Sequence, residues 1–244
     1  MPRIARAVAI GYPHHIVQRG NNRQSVFFEE ADRDVYFSLL KKYSDKWRSS
    51  ILAYCLMTNH VHLLVTPKAD ESLFKMMQGI TLCYTQYVNR TYNQTGRLWE
   101  SRYHSCIVDK EDYLWSVARY IEQNPVRAKM VRKAELYPYS SAEAHILGVR
   151  NDLLGDELFS DQQRRDYIAF VREKIPEREI NELKYHTRTG RPYGREGFLS
   201  KMEKRLDRKL SVMRPGRPKK DAQMLAIMVM GTILKMVSLS EISL

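Results

Sequence analysis

The chain has 244 residues, 43% hydrophobic and 28% charged, which are the proportions of a globular protein and exclude a disordered or fibrous chain. Lysine and arginine exceed aspartate and glutamate by 12, which favours a polyanionic partner without distinguishing DNA, RNA and acidic lipid. The three cysteines form no closely spaced pair, which argues against a disulfide scaffold or a zinc ribbon.

No targeting or membrane segment is expected. The N-terminus lacks the apolar stretch of a signal peptide. The most apolar segment, residues 222–244, is interrupted by Gln223, Thr232 and Lys235, and it falls short of the roughly 20 apolar residues that cross a bilayer. We therefore expect no membrane partner.

The first elements in chain order are a strand and a helix. Residues 12–20 alternate as a strand does, the polar GNNRQ predicts a turn, and residues 32–47 carry apolar side chains at helical spacing. Two short apolar runs follow, residues 51–57 and 60–67, separated by only two residues. This spacing predicts an antiparallel hairpin.

Three further elements complete the pattern. Residues 71–89 have an apolar helical face, residues 95–109 indicate a loop and a strand, and residues 111–123 have helical spacing again. The order strand, helix, strand, strand, helix, strand, helix predicts an α+β fold, with an antiparallel sheet and helices packed on one face.

The last third of the chain differs in charge. Residues 151–185 are predicted to be helical and are acidic, whereas residues 186–220 carry 12 basic and three acidic residues. Such a concentration of positive charge is typical of a surface that binds a polyanion.

His60 and His62 are candidate metal ligands. On a strand, residues two apart point to the same face roughly 6.5–7 Å apart, so both imidazoles can reach one divalent cation. The spacing alone is equally compatible with two histidines on a solvated strand face.

Tyr120 and Asn124 are a second candidate pair, because residues four apart share a helix face. A tyrosine hydroxyl can attack phosphorus, and an asparagine oxygen can be a third metal ligand. The hydroxyl has an ordinary pKa of about 10, so it needs the help that a metal on the phosphate supplies. Pro125 disfavours the α conformation at Asn124, and the alternative is that Asn124 only caps a helix beginning at Pro125.

These motifs together resemble a known family. MTNHVHLLV, followed by YIEQNPVRA, is similar to the single-tyrosine transposases of the HUH-endonuclease superfamily, and nearest to the insertion-sequence-200-like and REP-associated tyrosine transposases. GYPHHIVQRGNNRQ, GRLWESRYHS and YPYSSAEAH resemble the same family. The likeness spans residues 5–148.

The resemblance implies a ferredoxin-like (RRM-like) fold over residues 1–148. It also implies that His60 and His62 bind Mg²⁺ or Mn²⁺ with Asn124 as third ligand. Tyr120 would attack DNA, forming a 5′-phosphotyrosine bond and freeing a 3′-hydroxyl, so that rejoining needs no ATP. The implied substrate is single-stranded or hairpin DNA, the implied location is cytoplasmic and nucleoid-associated, and both monomers and homodimers fit the family.

Other tyrosines and histidines are alternative candidates for site roles. Tyr113 lies seven residues before Tyr120 and is a rival nucleophile, although it lacks the Asn-Pro context. Tyr92 and Tyr103 are expected to pack or to stack on bases. His14 and His15 lie on a predicted strand and can line a DNA groove or be structural.

Residues 149–244 are expected to form a helical, basic DNA-binding extension. Within residues 213–220 an Arg-Pro-Gly-Arg-Pro segment resembles an AT-hook, whose extended arginines fit the narrow minor groove of A·T-rich DNA. A basic linker that contacts phosphates without specificity is the alternative. The DNA-binding residues expected in this segment are Arg214, Arg217, Lys219 and Lys220.

Three functions fit these observations. The first is a catalytic transposase or single-strand nuclease. The second is a DNA-binding regulator derived from a transposase that has lost catalysis, and the third is a metal hydrolase in which Tyr120 is structural. The intact His60, His62 and Tyr120 favour the first.

Overall fold

A computed structural model describes residues 6–155 and 158–210 of the chain. The strands are β1 (His14–Arg19), β2 (Ser49–Met57), β3 (His60–Pro67) and β4 (His104–Ile107). The helices are α1 (Glu30–Lys46), α2 (Ser72–Thr91), α3 (Leu114–Glu122), α4 (Asn124–Arg127), α5 (Ala142–Leu147), α6 (Arg164–Arg172), α7 (Glu177–Thr189) and α8 (Phe198–Arg205).

The four strands form one antiparallel sheet in the order β2-β3-β1-β4. With α1 between β1 and β2, and α2 between β3 and β4, this is the ferredoxin-like arrangement. The α+β fold predicted from the sequence is confirmed. The predicted hairpin is also present, because Met57 pairs with His60 across the two-residue turn.

The turn between β2 and β3 is held by backbone hydrogen bonds from two other segments. The Thr58 carbonyl accepts from the Val26 amide at 2.9 Å, and the Asn59 carbonyl accepts from the Gly20 amide at 2.9 Å. These bonds fix the register of β3, in which His62 lies beside Val17 of β1. A slip of one residue would turn every β3 side chain to the other face.

Helices α1 and α2 cover one face of the sheet, as predicted. Tyr36 and Leu40 of α1 and Tyr84 of α2 are fully buried against this face, and the Tyr84 hydroxyl donates to the Val26 carbonyl at 2.7 Å. Gly79 permits the close approach of the helices, since a Cβ there would lie 2.2 Å from the Tyr43 ring.

The opposite face carries α3 and α7. The sequence predicted the helix of residues 111–123 on the same face as α1 and α2, and for α3 that prediction is wrong. Val117 and Ile121 of α3, together with Leu183 of α7, are buried against Leu64 and Cys106 of the sheet. Residues 6–210 belong to one compact unit. The domain boundary expected at residue 148 stays a prediction.

A buried carboxylate fastens α3 to the helices that follow it. Glu122 is fully buried, and it accepts hydrogen bonds from Ser141 at 2.6 Å, His145 at 2.5 Å and Tyr167 at 2.7 Å. Because these partners lie at the start of α5, within α5 and within α6, the orientation of α3 depends on residues 141–167.

The AT-hook-like segment and the apolar tail lie outside the described residues. Within the described part, none of the helices combines the length and apolar character that crossing a membrane requires.

Candidate active site

His60 and His62 lie side by side at the start of β3. Alternation along the strand turns both imidazoles to the face that carries α3, and their ring centres are 4.9 Å apart at an interplanar angle of 79°. The turn residue Asn59 accepts a 2.6 Å hydrogen bond on Oδ1 from Nδ1 of His60, while its own amide nitrogen donates to the Arg23 carbonyl. The proton of His60 is therefore on Nδ1, which leaves the Nε2 lone pair free.

The protonation of His62 is set by a chain of hydrogen bonds that begins on α7. Thr187 donates its hydroxyl proton to the Leu183 carbonyl at 2.8 Å, so it accepts from Nδ1 of His15, also at 2.8 Å. Nε2 of His15 then accepts from Nδ1 of His62 at 3.1 Å. His62 consequently also has its lone pair on Nε2, the form in which imidazole binds metals.

Burial keeps these histidines neutral. It lowers the pKa of His15 to about 3, with the Arg127 charge adding to the shift. Burial also lowers the pKa of His60 to about 4 and that of His62 well below its usual range. At neutral pH both His60 and His62 are unprotonated on Nε2, as ligands must be.

Tyr120 of α3 lies against this histidine pair. Its ring centre is 5.6 Å from that of His62 and 5.7 Å from that of His15, with both contacts edge to face. The Arg127 guanidinium lies 4.1 Å from the centre of the Tyr120 ring. Burial raises the pKa of Tyr120, while the charge of Arg127 acts in the opposite direction.

Asn124 stands where α3 gives way to α4. Pro125 has no N–H to donate to the Ile121 carbonyl. The side-chain amide nitrogen of Asn124 donates to that carbonyl at 3.2 Å instead, and also to the Tyr120 carbonyl at 3.0 Å. Gln123, not Asn124, is the N-cap of α4. The amide is thereby oriented, and its Oδ1 accepts from Arg127 at 2.6 Å.

These side chains share one cleft of about 670 Å³, which we call the histidine cleft. Its lining comes from the sheet, from α3 and α4, and from α7. The residues that line it are His15, Val17, Arg19, His60, His62, Glu100, His104, Tyr120, Asn124, Arg127, Asn181, Lys184, Tyr185, Thr187 and Arg188. The catalytic and metal-binding residues expected from the sequence are therefore brought together.

The rival tyrosines lie elsewhere. Tyr113 packs on Tyr193 with ring centres 4.6 Å apart, and Tyr92 donates to both carboxylate oxygens of Asp32. Tyr103 lies under the guanidinium of Arg6, 3.8 Å from it. None of the three lines the histidine cleft.

His14 and His15, the two histidines of β1, have different roles. His14 is buried on the opposite side of β1 from His15, where its ring accepts from the Ala9 amide and donates to the Tyr12 carbonyl. His15 lines the cleft, but it contacts His62 and Thr187 through both ring nitrogens.

Sequence reasoning missed Arg127 and the α7 residues of the cleft. Arg127 follows Asn124 by three positions inside the NPVRA motif, so its helical neighbourhood with Asn124 was a usable signal. The local sequence of α7 has no pattern that identifies it as part of the site. Its contact with the site is made by Thr187 with His15, which is 172 positions away in the chain.

The donors available for a divalent cation are two imidazole nitrogens and one amide oxygen. In residues 6–155 and 158–210, no group of three His, Cys, Asp or Glu side chains could hold a metal ion. Nε2 of His60 and Nε2 of His62 are imidazole donors, which suit transition metals, and Oδ1 of Asn124 is an oxygen donor, which suits Mg²⁺ and Mn²⁺. The expected DNA-binding residues Arg214, Arg217, Lys219 and Lys220 lie outside the described residues.

Part of the chain is similar to known transposases. A family model described as Transposase IS200 like matches residues 10–124. The structure of a REP-associated tyrosine transposase bound to a REP hairpin has a TM-score of 0.53 and 16% identity to this chain, covering 66% of this chain and 94% of the other. At that identity the likeness shows a shared fold.

Two further results carry less weight. The crystal structure of a candidate transposase from Deinococcus radiodurans R1 is 20% identical over 50% of this chain and 97% of the other, with a TM-score of 0.35 that is too low to support an argument. No curated protein matches the chain. The family model thus places residues 10–124, a little under half of the chain, among the IS200-like transposases, and the solved structure agrees with it in fold.

Proposed function

We propose that this transposase cuts and rejoins single-stranded DNA through a covalent bond between Tyr120 and a 5′ phosphate. We also propose that His60, His62 and Asn124 hold Mg²⁺ or Mn²⁺. The observation that carries the proposal is the 5.6 Å contact between the rings of Tyr120 and His62 within the histidine cleft. This contact supports the proposal, because the proposed nucleophile lies beside an imidazole whose Nε2 lone pair is free.

The covalent step conserves the phosphate ester. The hydroxyl oxygen of Tyr120 forms a bond to phosphorus, the bond from phosphorus to the 3′ oxygen breaks, and that oxygen leaves as a 3′-hydroxyl after taking up a proton. The phenol proton passes to solvent in the cleft. Because one ester replaces another, the reverse attack by a 3′-hydroxyl rejoins DNA without an energy source.

The other residues of the site orient the groups and stabilise charge. A bound divalent cation would polarise the scissile phosphate and lower its resistance to attack. Burial raises the pKa of the Tyr120 hydroxyl, and the charge of Arg127 acts in the opposite direction. Arg127 also donates a hydrogen bond to Asn124. His60 donates a hydrogen bond to Asn59 and His62 donates one to His15, and these two bonds hold His60 and His62 in one tautomer each.

Hairpin DNA is the substrate we propose, since the REP-associated transposase of similar fold was determined bound to a REP hairpin. The AT-hook-like residues Arg214, Arg217, Lys219 and Lys220 are proposed to add duplex contacts. A protein acting on DNA in this way is proposed to be cytoplasmic and nucleoid-associated.

A labelled hairpin with a single-stranded flank tests the proposal. With Mg²⁺, a 3′-end label should migrate with the protein on a denaturing gel, while a 5′-end label is released in a fragment ending in a 3′-hydroxyl. Tyr120→Phe should lose the adduct, and Tyr113→Phe and Tyr185→Phe should keep it. Cleavage without an adduct would indicate the hydrolase, and binding without cleavage the regulator.

A further inference from the structure

One face of helix α7 packs on the sheet, and the adjacent face of the same helix lines the histidine cleft. Ile180, Leu183 and Thr187 are buried at helical spacing. Asn181, Lys184 and Arg188, which immediately follow them, line the cleft together with Tyr185. A wall of the catalytic cleft therefore comes from a helix beyond the segment matched by the family model.

The charge of this wall is one-sided. Lys184 and Arg188 are exposed and have no carboxylate partner among the described residues. The nearby acidic residues of α7 are bound on other faces of the helix, since Glu179 pairs with Arg119 at 2.9 Å and Glu182 pairs with Arg178 at 2.8 Å.

The rest of the cleft has the same sign of charge. Arg19 and Arg127 add two positive charges to those of α7, and Glu100 is the one acidic residue in the lining. Like charges four apart on a helix, such as Lys184 and Arg188, destabilise it slightly. Clustered, unpaired cations in a concave site are the arrangement that attracts a polyanion.

Tyr185 adds an aromatic surface to these charges. It is 40% exposed, and Arg191 donates to its hydroxyl at 2.5 Å, which restrains the ring. Basic side chains that follow a backbone, interleaved with an exposed aromatic ring, are typical of surfaces that bind single-stranded nucleic acid.

We propose that α7 binds the single strand next to the scissile phosphate. Lys184 and Arg188 each contact one backbone phosphate, and Tyr185 stacks on an unpaired base. This inference rests on the proposed single-stranded DNA substrate. In it, α7 positions the DNA strand between the sheet and the helix.

Fluorescence anisotropy with a labelled single-stranded oligonucleotide tests this, in EDTA and in the Tyr120→Phe background so that no cleavage occurs. Lys184→Ala with Arg188→Ala should weaken binding at least 10-fold. It should also reduce the slope of log affinity against log salt by about 1.4, since each phosphate contact contributes about 0.7. Lys42→Ala with Lys46→Ala, which removes two exposed charges four residues apart on α1, is the matched control. Because α1 covers the other face of the sheet, this variant should change neither value.

Tyr185 is tested by a pair of substitutions. Tyr185→Ala should weaken single-strand binding about 10-fold, whereas Tyr185→Phe keeps the ring and should bind nearly as the parent does. Circular dichroism verifies that the variants are folded, which is expected because all three side chains are exposed.

The outcomes separate this proposal from the catalytic one. Unchanged affinity and salt slope in the α7 double variant would overturn the α7 proposal even if the Tyr120 adduct forms. The same loss on a blunt duplex would also overturn it, because it would mean phosphate contact without preference for a single strand. A selective loss with no adduct in the wild-type chain would support α7 and contradict the nuclease.

Discussion

Nδ1 of His62 lies 3.1 Å from Nε2 of His15, and the two imidazole rings are nearly parallel, with an interplanar angle of 5°. His15 is in turn held by Thr187 of α7. The free nitrogen of His62 is thus determined by residues from three separate parts of the chain.

Removing this partner should weaken metal binding. We expect His15→Ala to raise the Mn²⁺ dissociation constant 10- to 100-fold, as substitutions behind a metal-bound histidine generally do, and Thr187→Val to have a smaller effect in the same direction. Isothermal titration calorimetry on the Tyr120→Phe protein measures this. The neighbouring His14→Gln, on the opposite side of β1, should leave the constant unchanged, and an equal constant in His15→Ala would contradict the prediction.

Arg127 should accelerate formation of the adduct. Its guanidinium lies over the Tyr120 ring, and its Nη1 is buried without a hydrogen-bond partner among the described residues. We expect Arg127→Ala to slow single-turnover adduct formation about 100-fold at saturating Mn²⁺, which is the usual cost of losing one donor that stabilises developing charge. Arg127→Lys should retain part of the rate. Equal rates for all three proteins would show that Arg127 is only structural.

The energetic coupling between Asn124 and Pro125 can be measured by a double-mutant cycle. Asn124→Ala should lower the free energy of unfolding by about 1 kcal/mol, because the Ile121 carbonyl loses its donor. In a Pro125→Ala background the backbone supplies an N–H for that carbonyl, so the same substitution should cost less. Urea denaturation gives the four free energies, and strictly additive values would contradict the coupling.

Glu122 should contribute more to stability than any exposed acid nearby. Glu122→Gln replaces a buried acceptor of three hydrogen bonds by an amide that cannot accept all of them, and we expect a loss of roughly 3 kcal/mol in the free energy of unfolding. Glu143→Gln, an exposed position on α5, is the control and should change it by less than about 0.5 kcal/mol. Similar small losses of unfolding free energy in both variants would mean that the hydrogen bonds to the Glu122 carboxylate add little to stability.

Stability should fall in mild acid, in part because of His14. Burial lowers the pKa of His14 to about 4, from 6.5. Between these values the unfolded chain binds a proton that the folded chain does not, so stability is full above pH 6.5 and decreases as pH falls towards 4. The contribution of His14 is about 1.4 kcal/mol per pH unit.

Urea denaturation between pH 7 and pH 4.5 measures that slope. His14→Gln can keep one bond to Ala9 and one to Tyr12 but does not titrate, so its free energy of unfolding should depend less steeply on pH than that of the wild type. The same slope in both proteins would contradict the assignment to His14.

The elements could be predicted from the sequence because each has a local pattern. The hairpin of β2 and β3 was found from two apolar runs around a two-residue turn, and its bounds agree closely. Helix α3 begins at Leu114 rather than at Glu111, and Tyr113 is its N-cap.

The candidate site was predictable only in part. His60 with His62, and Tyr120 with Asn124, have spacings that follow from strand and helix periodicity, and the family resemblance joined the two pairs. The positions of Thr187 and Lys184 relative to the cleft depend on tertiary packing between distant segments, for which the local sequence has no signal. The roles of His14 and His15 were separable only when the face of β1 was known.

The hydrogen-bond chain from Leu183 to His62 has a consequence for dividing this protein. Residues 1–148 and 149–244, produced as separate polypeptides, would each lack what the other supplies: the acceptor for His15, and the sheet on which α7 rests. Glu122 would also be separated from Tyr167. Such fragments would complete the proposed site only when they reassociate, which recovery of the proposed adduct would measure.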